Sequence, residues 1–425
     1  MLTPLFATFI LFMAAGMPIF FAMALSSLVA LLFQDQLTLM IIPQRMFAII
    51  DSFSLLAVPF FVLAGVFMET GGISARLVKF AGALVGHFRA GLCHVAVVSA
   101  MIFAGVSGSA TADTSAIGGI VIPPMIRAGY RRGFLAALMA SAGAIGPIIP
   151  PSLIMVVYGS MTGVSIAEMF LGGFIPGVII GLGLMAVCYF WRSQTMGARE
   201  PRVTLREGWR RFIDASWALI SPVIILGGII FGVFTPTEAG VVAVVYTLLV
   251  GLFIYQEIRV VNIPAMLVKA AVTTTIVMSI ISAAGIFGWI LASERMPFIV
   301  AEWINTVTQS NALKMLIIQL FLLVLGCFVE GLAAAIILIP VLHPLAVQMG
   351  LDPVHFAVVV CINVIVGGVT PPVGVLLYVS SSIAETTLAD ASRYVLPFLV
   401  VLVAVIFATA YIPSLVTFLP RLILR

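Results

Sequence analysis

Residues 143–152 read Gly143-Ala-Ile-Gly-Pro-Ile-Ile-Pro-Pro-Ser152, and residues 363–372 read Asn363-Val-Ile-Val-Gly-Gly-Val-Thr-Pro-Pro372. Each stretch lies within a long apolar run, and each carries a proline pair that removes backbone donors and stops a helix from continuing. At membrane depth such a break is tolerated only where protein or a water-lined cavity satisfies the freed polar groups, so matched breaks mark a place of use. The two are in register. Gly146, Pro150, Pro151 and Pro176 recur 221 positions later as Gly367, Pro371, Pro372 and Pro397, while Pro18 and Ala64-Gly65 recur as Pro236 and Ala284-Gly285 at slightly smaller offsets. The chain therefore reads as two repeats, residues 1–191 and 215–425, joined by a polar linker over 192–214.

The surroundings of the breaks fix the class. Hydrophobic residues make up 63% of the 425 positions and charged residues 8%, against about a quarter charged in a soluble domain. Runs of about 20 apolar residues recur between charge clusters, enough for roughly nine to twelve passes. The first residues lack the basic start and small-residue cleavage site of a secretory signal and read as a retained span. The linker carries Arg192, Arg199, Arg202, Arg206, Arg210 and Arg211, which places it in the cytoplasm. The net charge of +4 is too small and dispersed for a nucleic-acid partner; the lipid bilayer is the expected surrounding. Cys93, Cys188, Cys327 and Cys361 and the four histidines have no metal-ligand or disulfide spacing and are read as packing residues.

Helices near 3–16, 18–33 and 46–69 correspond to 216–234, 236–255 and 268–291. A single helix from 5 to 33 is the alternative for the first two, and it changes only the side of the N-terminus. The segments 75–132 and 294–350 hold short apolar runs around small or polar centres, and read as re-entrant hairpins at about 90–127 and 313–348. Broken helices follow at about 133–162 and 354–384, each with one more pass behind it. Counting from the linker inverts the second half. Of the 20 basic residues, Arg45, Arg295, Lys314, Arg421 and Arg425 then fall outside and the rest inside. The expected fold class is an all-α polytopic membrane protein, an inverted-repeat elevator-type transporter with two re-entrant helical hairpins and two broken helices.

Broken helices at matching places offer positive half-helix N-termini to an anion and unwound carbonyls to a cation. The first hairpin centre, Gly105-Val-Ser-Gly-Ser-Ala-Thr-Ala-Asp113, is rich in hydroxyls. Ser107, Ser109, Asp113, Gly146, Ile149 and Ser152 are assigned to one sodium site, the last three partly through backbone carbonyls. Gly326, Gly367, Thr370 and Val373 are assigned to its symmetry mate. Thr111, Pro150, Glu330, Asn363 and Pro371 are assigned to the substrate region. Asp113 and Glu330 are embedded acids, functional candidates by default; each is read either as part of an ion site or as a structural partner for hairpin backbone N–H groups. No embedded arginine offers itself to a substrate carboxylate, so helix dipoles, hydroxyls and bound cations have to serve.

These residues resemble the large membrane (M, DctM-like) subunit of tripartite ATP-independent periplasmic (TRAP) transporters. The resemblance spans essentially the whole chain and is carried by Asp51-Ser-Phe-Ser-Leu-Leu-Ala-Val-Pro-Phe-Phe-Val-Leu-Ala-Gly65, Ser107-Gly-Ser-Ala-Thr-Ala-Asp113-Thr, Pro147-Ile-Ile-Pro-Pro-Ser152 and Thr370-Pro-Pro-Val-Gly374. It implies an elevator mechanism in the bacterial inner membrane, with Na+ as coupling ion and no organic cofactor. It also implies a separate small four-helix membrane subunit and a periplasmic substrate-binding protein that delivers an organic anion, commonly a sialic, dicarboxylic or sugar acid. An inverted-repeat anion/sodium symporter without a binding protein is the alternative. An intramembrane enzyme lacks a catalytic set here: there is no H-E-x-x-H and no Gly-x-Ser-x-Gly elbow.

Overall fold

Apolar sequence punctuated by glycine, proline and capping hydroxyls gives, among the described residues, helices as the only regular elements. The structure is a computed structural model and describes residues 1–33, 39–191 and 203–424. Arg192, Arg199 and Arg202 of the basic linker, and Arg425, lie outside the described residues. Ten helices precede the linker: α1 (Leu2–Ala14), α2 (Ile19–Leu32), α3 (Ile41–Ile50), α4 (Ala57–Thr70), α5 (Ile73–Val85), α6 (Gly91–Ser107), α7 (Ala110–Arg127), α8 (Arg132–Gly143), α9 (Leu153–Thr162) and α10 (Ile166–Phe190). Ten follow: α11 (Leu205–Ile230), α12 (Pro236–Leu249), α13 (Ile263–Ser293), α14 (Met296–Val307), α15 (Asn311–Gly326), α16 (Gly331–Gln348), α17 (Pro353–Gly367), α18 (Val375–Ile383), α19 (Leu388–Tyr411) and α20 (Ser414–Ile423).

Local chemistry sets the boundaries. Thr235 and Glu238 form a reciprocal capping box at α12, with Pro236 in the first turn. Ser165 caps α10 by accepting from the Glu168 N–H, and Thr387 caps α19 by accepting from the Asp390 N–H, so the last long helix of each half starts on the same device. The first two helices are separate, not one helix from 5 to 33. Gly16 sits between them at φ +78°, a backbone state open to glycine and costly to other residues.

Among the described residues, seven helices are long and apolar enough to cross a membrane, or up to eight if the bent pair α14 and α15 is taken as one span. Most of the remainder are short. The breaks explain this: α8 with α9, and α17 with α18, are pairs of pieces each below spanning length. The segments read from sequence as whole hairpins each begin with a helix of their own, α5 in the first half and α14 in the second, with α14 meeting α15 at a bend of 119°.

Two groups of helices emerge from the packing. In one, α13 lies against α2, α3 and α4, α4 against α12, and α11 against α5. α13 has 31 residues, about 46 Å at 1.5 Å per residue, and is the strut of this scaffold. The other group is centred on α8 and α17, whose side chains are almost all buried. Its partnerships cross between halves: α9 packs on α16, α18 on α7 and α8, α10 on α17, and α19 on α8. In a bilayer this packing cannot draw on the usual hydrophobic drive, since lipid is as apolar as leucine, and close backbone approach between small residues takes its place. Gly326 and Gly367 are in backbone contact, and Gly288 of α13 faces the Pro340 ring of α16.

Candidate functional site

Both hairpins turn at their tips beside the breaks. Ser107 closes α6, Gly108 follows at φ +66°, and Ser109 is the N-cap of α7, with Thr111 in its first turn. The Gly108 carbonyl accepts from the Leu153 N–H at 3.3 Å, which ties the tip to the start of α9. In the second half the Cys327 carbonyl accepts from the Gly374 N–H at 3.2 Å, and Gly374 lies 221 positions after Leu153. The backbone stitch repeats in the register of the proline pairs. The Pro150–Pro151 and Pro371–Pro372 peptide bonds are both cis.

The first break is wholly buried from Gly143 to Ser152. Ser152 caps α9 by accepting from the Met155 N–H and donates to the Pro147 carbonyl. The carbonyls of Gly146, Ile149, Pro150 and Pro151 accept no backbone hydrogen bond. Asp113 lies in the first turn of α7 with no exposed surface, and its Oδ2 lies so near Gly146 that a Cβ there would overlap it. Ser107 is beside it, yet neither carboxylate oxygen has a hydrogen-bond partner of good geometry. A charged carboxylate left so costs several kcal/mol. With the unclaimed carbonyl of the neighbouring Gly146 and the Ser107 hydroxyl, it forms an oxygen set suited to a hard monovalent cation.

The second break is more open. Gly326 and Gly367 are buried, Thr370 and Pro371 half-buried, and Val373 exposed. The Thr370 hydroxyl donates to the Val366 carbonyl at 3.1 Å, and the carbonyls of Gly326, Thr370 and Val373 accept no backbone hydrogen bond. Glu330 is the N-cap of α16, its Oε2 accepting from the Ala333 N–H at 3.1 Å. This contact is the structural partnership read from sequence.

Between the two tips lies a cleft of about 50 Å³. Its walls include the first residues of four helices: Ser109 and Ala110 of α7, Leu153 and Ile154 of α9, Glu330 and Gly331 of α16, and Val375 and Leu376 of α18. Four half-helix N-termini thus converge on one point. Of the residues assigned to the substrate region, Thr111 and Glu330 line this cleft, while Pro150, Pro371 and Asn363 do not. Asn363 donates through Nδ2 to the main-chain carbonyl of Gln319 on α15. Ser109 and Leu153 also face a second cavity of about 100 Å³, bounded on the scaffold side by Gly65, Glu69, Lys269 and Thr273. The Glu69–Lys269 pair escaped the sequence reading because nothing in spacing joins residues 200 apart. Gly374 (φ +50°) was legible in principle, as the glycine just beyond a proline pair.

The chain resembles the isethionate TRAP transporter permease DctMQ of Oleidesulfovibrio alaskensis, with 40% identity over 97% of this chain and 65% of the relative. It thus spans somewhat less than two thirds of that protein. It is also 40% identical to the C4-dicarboxylate TRAP transporter large permease DctM of Pseudomonas aeruginosa, over 89% of this chain and 88% of the relative. The crystal structure of the Alcanivorax borkumensis YdaH transporter shares the fold, with a TM-score of 0.60, 13% identity and 86% of each chain covered. Residues 6–415 match the family described as tripartite ATP-independent periplasmic transporter, DctM component. The chain belongs to the DctM family of large TRAP transporter permeases.

Proposed function

We propose that this chain translocates an organic anion, with a carboxylate as first candidate, in sodium-coupled uptake across the bacterial inner membrane. The observation that carries this is the convergence of four helix N-termini on one cleft. Backbone N–H groups and positive dipole ends favour an anion there without any arginine. The two relatives named above are described as permeases for isethionate and C4-dicarboxylate, both small organic anions. The cleft's volume of about 50 Å³ is far below the roughly 300–1,000 Å³ of a typical ligand pocket, so the hairpin tips must part to seat a substrate.

Sodium is the coupling ion in this reading. Asp113, Ser107 and the Gly146 and Ile149 carbonyls hold one ion, with Ser109 and Ser152 shaping the site. Gly326, Gly367, Thr370 and Val373 frame the second, chiefly through carbonyls. Binding of these cations beside the N-termini offsets the negative charge of the substrate and of Glu330. The core of hairpins and broken helices moves against the scaffold of α2, α4, α12 and α13. The basic linker faces the cytoplasm; the ion pairs of Arg76 with Asp214 and Glu257, and of Arg132 with Glu385, gather on its side. A small four-helix membrane subunit and a periplasmic substrate-binding protein complete the system.

Uptake of labelled succinate and labelled isethionate into proteoliposomes holding both membrane subunits, with the binding protein outside, tests this. An inward sodium gradient should drive accumulation, and omitting the binding protein should abolish it. Full-rate uptake on a proton gradient alone would sink the sodium assignment. Uptake without the binding protein would favour the independent symporter.

A further inference from the structure

Lys269 is, among the described residues, the one cationic side chain on the walls of either central cavity. It rises from the second turn of α13, and its Nζ lies 2.8 Å from Oε2 of Glu69 near the end of α4. Both residues belong to the scaffold. The cavity they border reaches the hairpin tip at Ser107 and Ser109, and through Ser109 and Leu153 it adjoins the cleft of four N-termini. An anion leaving that cleft past Ser109 therefore meets no other positive side chain before Lys269.

A brace between α4 and α13 is the plain alternative, and two facts weaken it. The two helices already pack along an extensive apolar contact. Both side chains are partly exposed, and an ion pair of that kind contributes about 0–1 kcal/mol. Placement at the cavity mouth matters more than strength. A weak pair is one that an arriving carboxylate or sulfonate can open by replacing Glu69 at the ammonium.

Resting on the function proposed above, we infer that Lys269 is the release-side counter-ion of the transport path, and that Glu69 competes with the substrate for it. The anion passes from backbone dipoles at the hairpin tips to a fixed charge on the static scaffold, then out on the side of the basic linker. Glu69 reclaims the lysine and keeps the anion from lingering.

The test reads local potential and needs no transport. All four native cysteines are buried, so a cysteine replacing the exposed Thr273 reports on the cavity. Its modification from the linker side by anionic 2-sulfonatoethyl and cationic 2-trimethylammonioethyl methanethiosulfonates gives a rate ratio. Lys269→Gln should lower the anion-to-cation ratio about three- to tenfold, Glu69→Gln should raise it about as much, and Lys269→Arg should preserve it. In the uptake assay, Lys269→Gln should lower maximal rate at unchanged sodium half-saturation. A ratio unmoved by either neutralisation, or moved in the same direction by both, overturns the proposal and leaves a brace. Failure of wild-type uptake with the ratios as expected would instead count against the function reading alone.

Discussion

The first and second breaks share a backbone and differ in what fills it. Both have a proline pair, a run of carbonyls without backbone partners, and a hydrogen bond from the start of the following half-helix to a hairpin tip. The first is buried throughout and holds the Asp113 carboxylate; the second is half open and has no acid within it. Ser152, which caps α9, corresponds in register to Val373, and α18 begins instead at Gly374 without a side-chain cap. Backbone geometry is what the repeat preserves, because the proline pair and stitch position the carbonyls whatever the side chains are. Charge and capping are then free to diverge, so one break is built around a carboxylate and the other around peptide dipoles alone.

The sharpest way to break this comparison is Asp113→Asn. The substitution keeps shape and removes the charge, and losing one partner of a buried charge pair costs about 3–5 kcal/mol, so sodium-driven uptake should fall to background. Without sodium the same variant should be at least as stable as the parent, because a neutral amide costs less to bury without a partner than a carboxylate does. Thermal unfolding with and without sodium reads both effects; an undiminished sodium-induced rise in Tm would remove Asp113 from the site.

A methyl group at the paired glycines separates the two regions next. On Gly367 it meets the Gly326 backbone, which cannot turn aside, whereas on Gly146 it meets the Asp113 side chain. Gly367→Ala should thus cost about 1–3 kcal/mol of stability as overpacking, seen as a lower Tm. Gly146→Ala should chiefly weaken sodium dependence at a smaller cost in Tm. The reverse ranking of the two variants in Tm would mean that the breaks are not packed as described.

The smallest effects belong to the hydroxyls. Thr370→Val preserves volume and removes a group whose only hydrogen bond goes to the Val366 carbonyl; one hydrogen-bond-sized contribution of about 0.5–1.5 kcal/mol should shift sodium half-saturation about two- to tenfold. Ser152→Ala removes a helix cap and should cost about 1 kcal/mol of stability. Unchanged sodium half-saturation and Hill slope in Thr370→Val would leave the second site to carbonyls alone.

Helical class, membrane residence, family and the absence of enzymatic chemistry were legible because they depend on composition and on motifs local in sequence, such as Pro147-Ile-Ile-Pro-Pro-Ser152. The alternatives at Asp113 and Glu330 were not separable there. Both are acids near a hairpin tip, and only three-dimensional placement shows Glu330 taking a backbone N–H while Asp113 takes none. The convergence of four N-termini, and the Glu69–Lys269 pair, join residues hundreds or scores of positions apart and leave no periodic trace. Asn363 reads as a site residue because it is a polar group in an apolar run; its Nδ2 has a partner on α15, while its buried Oδ1 has none among the described residues.

The crosswise packing of the core also governs how the protein is made. α8 finds its neighbour α18, and α9 its neighbour α16, only after the second half exists. At about 5–20 residues per second, the roughly 240 residues between α8 and α18 take some 12–50 s to synthesise. For that interval the first hairpin and its broken helix stand in the bilayer with freed carbonyls and a buried-to-be carboxylate uncovered. The nascent first half is therefore a dependent of the insertion machinery and its chaperones, and a chain truncated after the linker should be a substrate for membrane proteolysis and not a half-sized transporter.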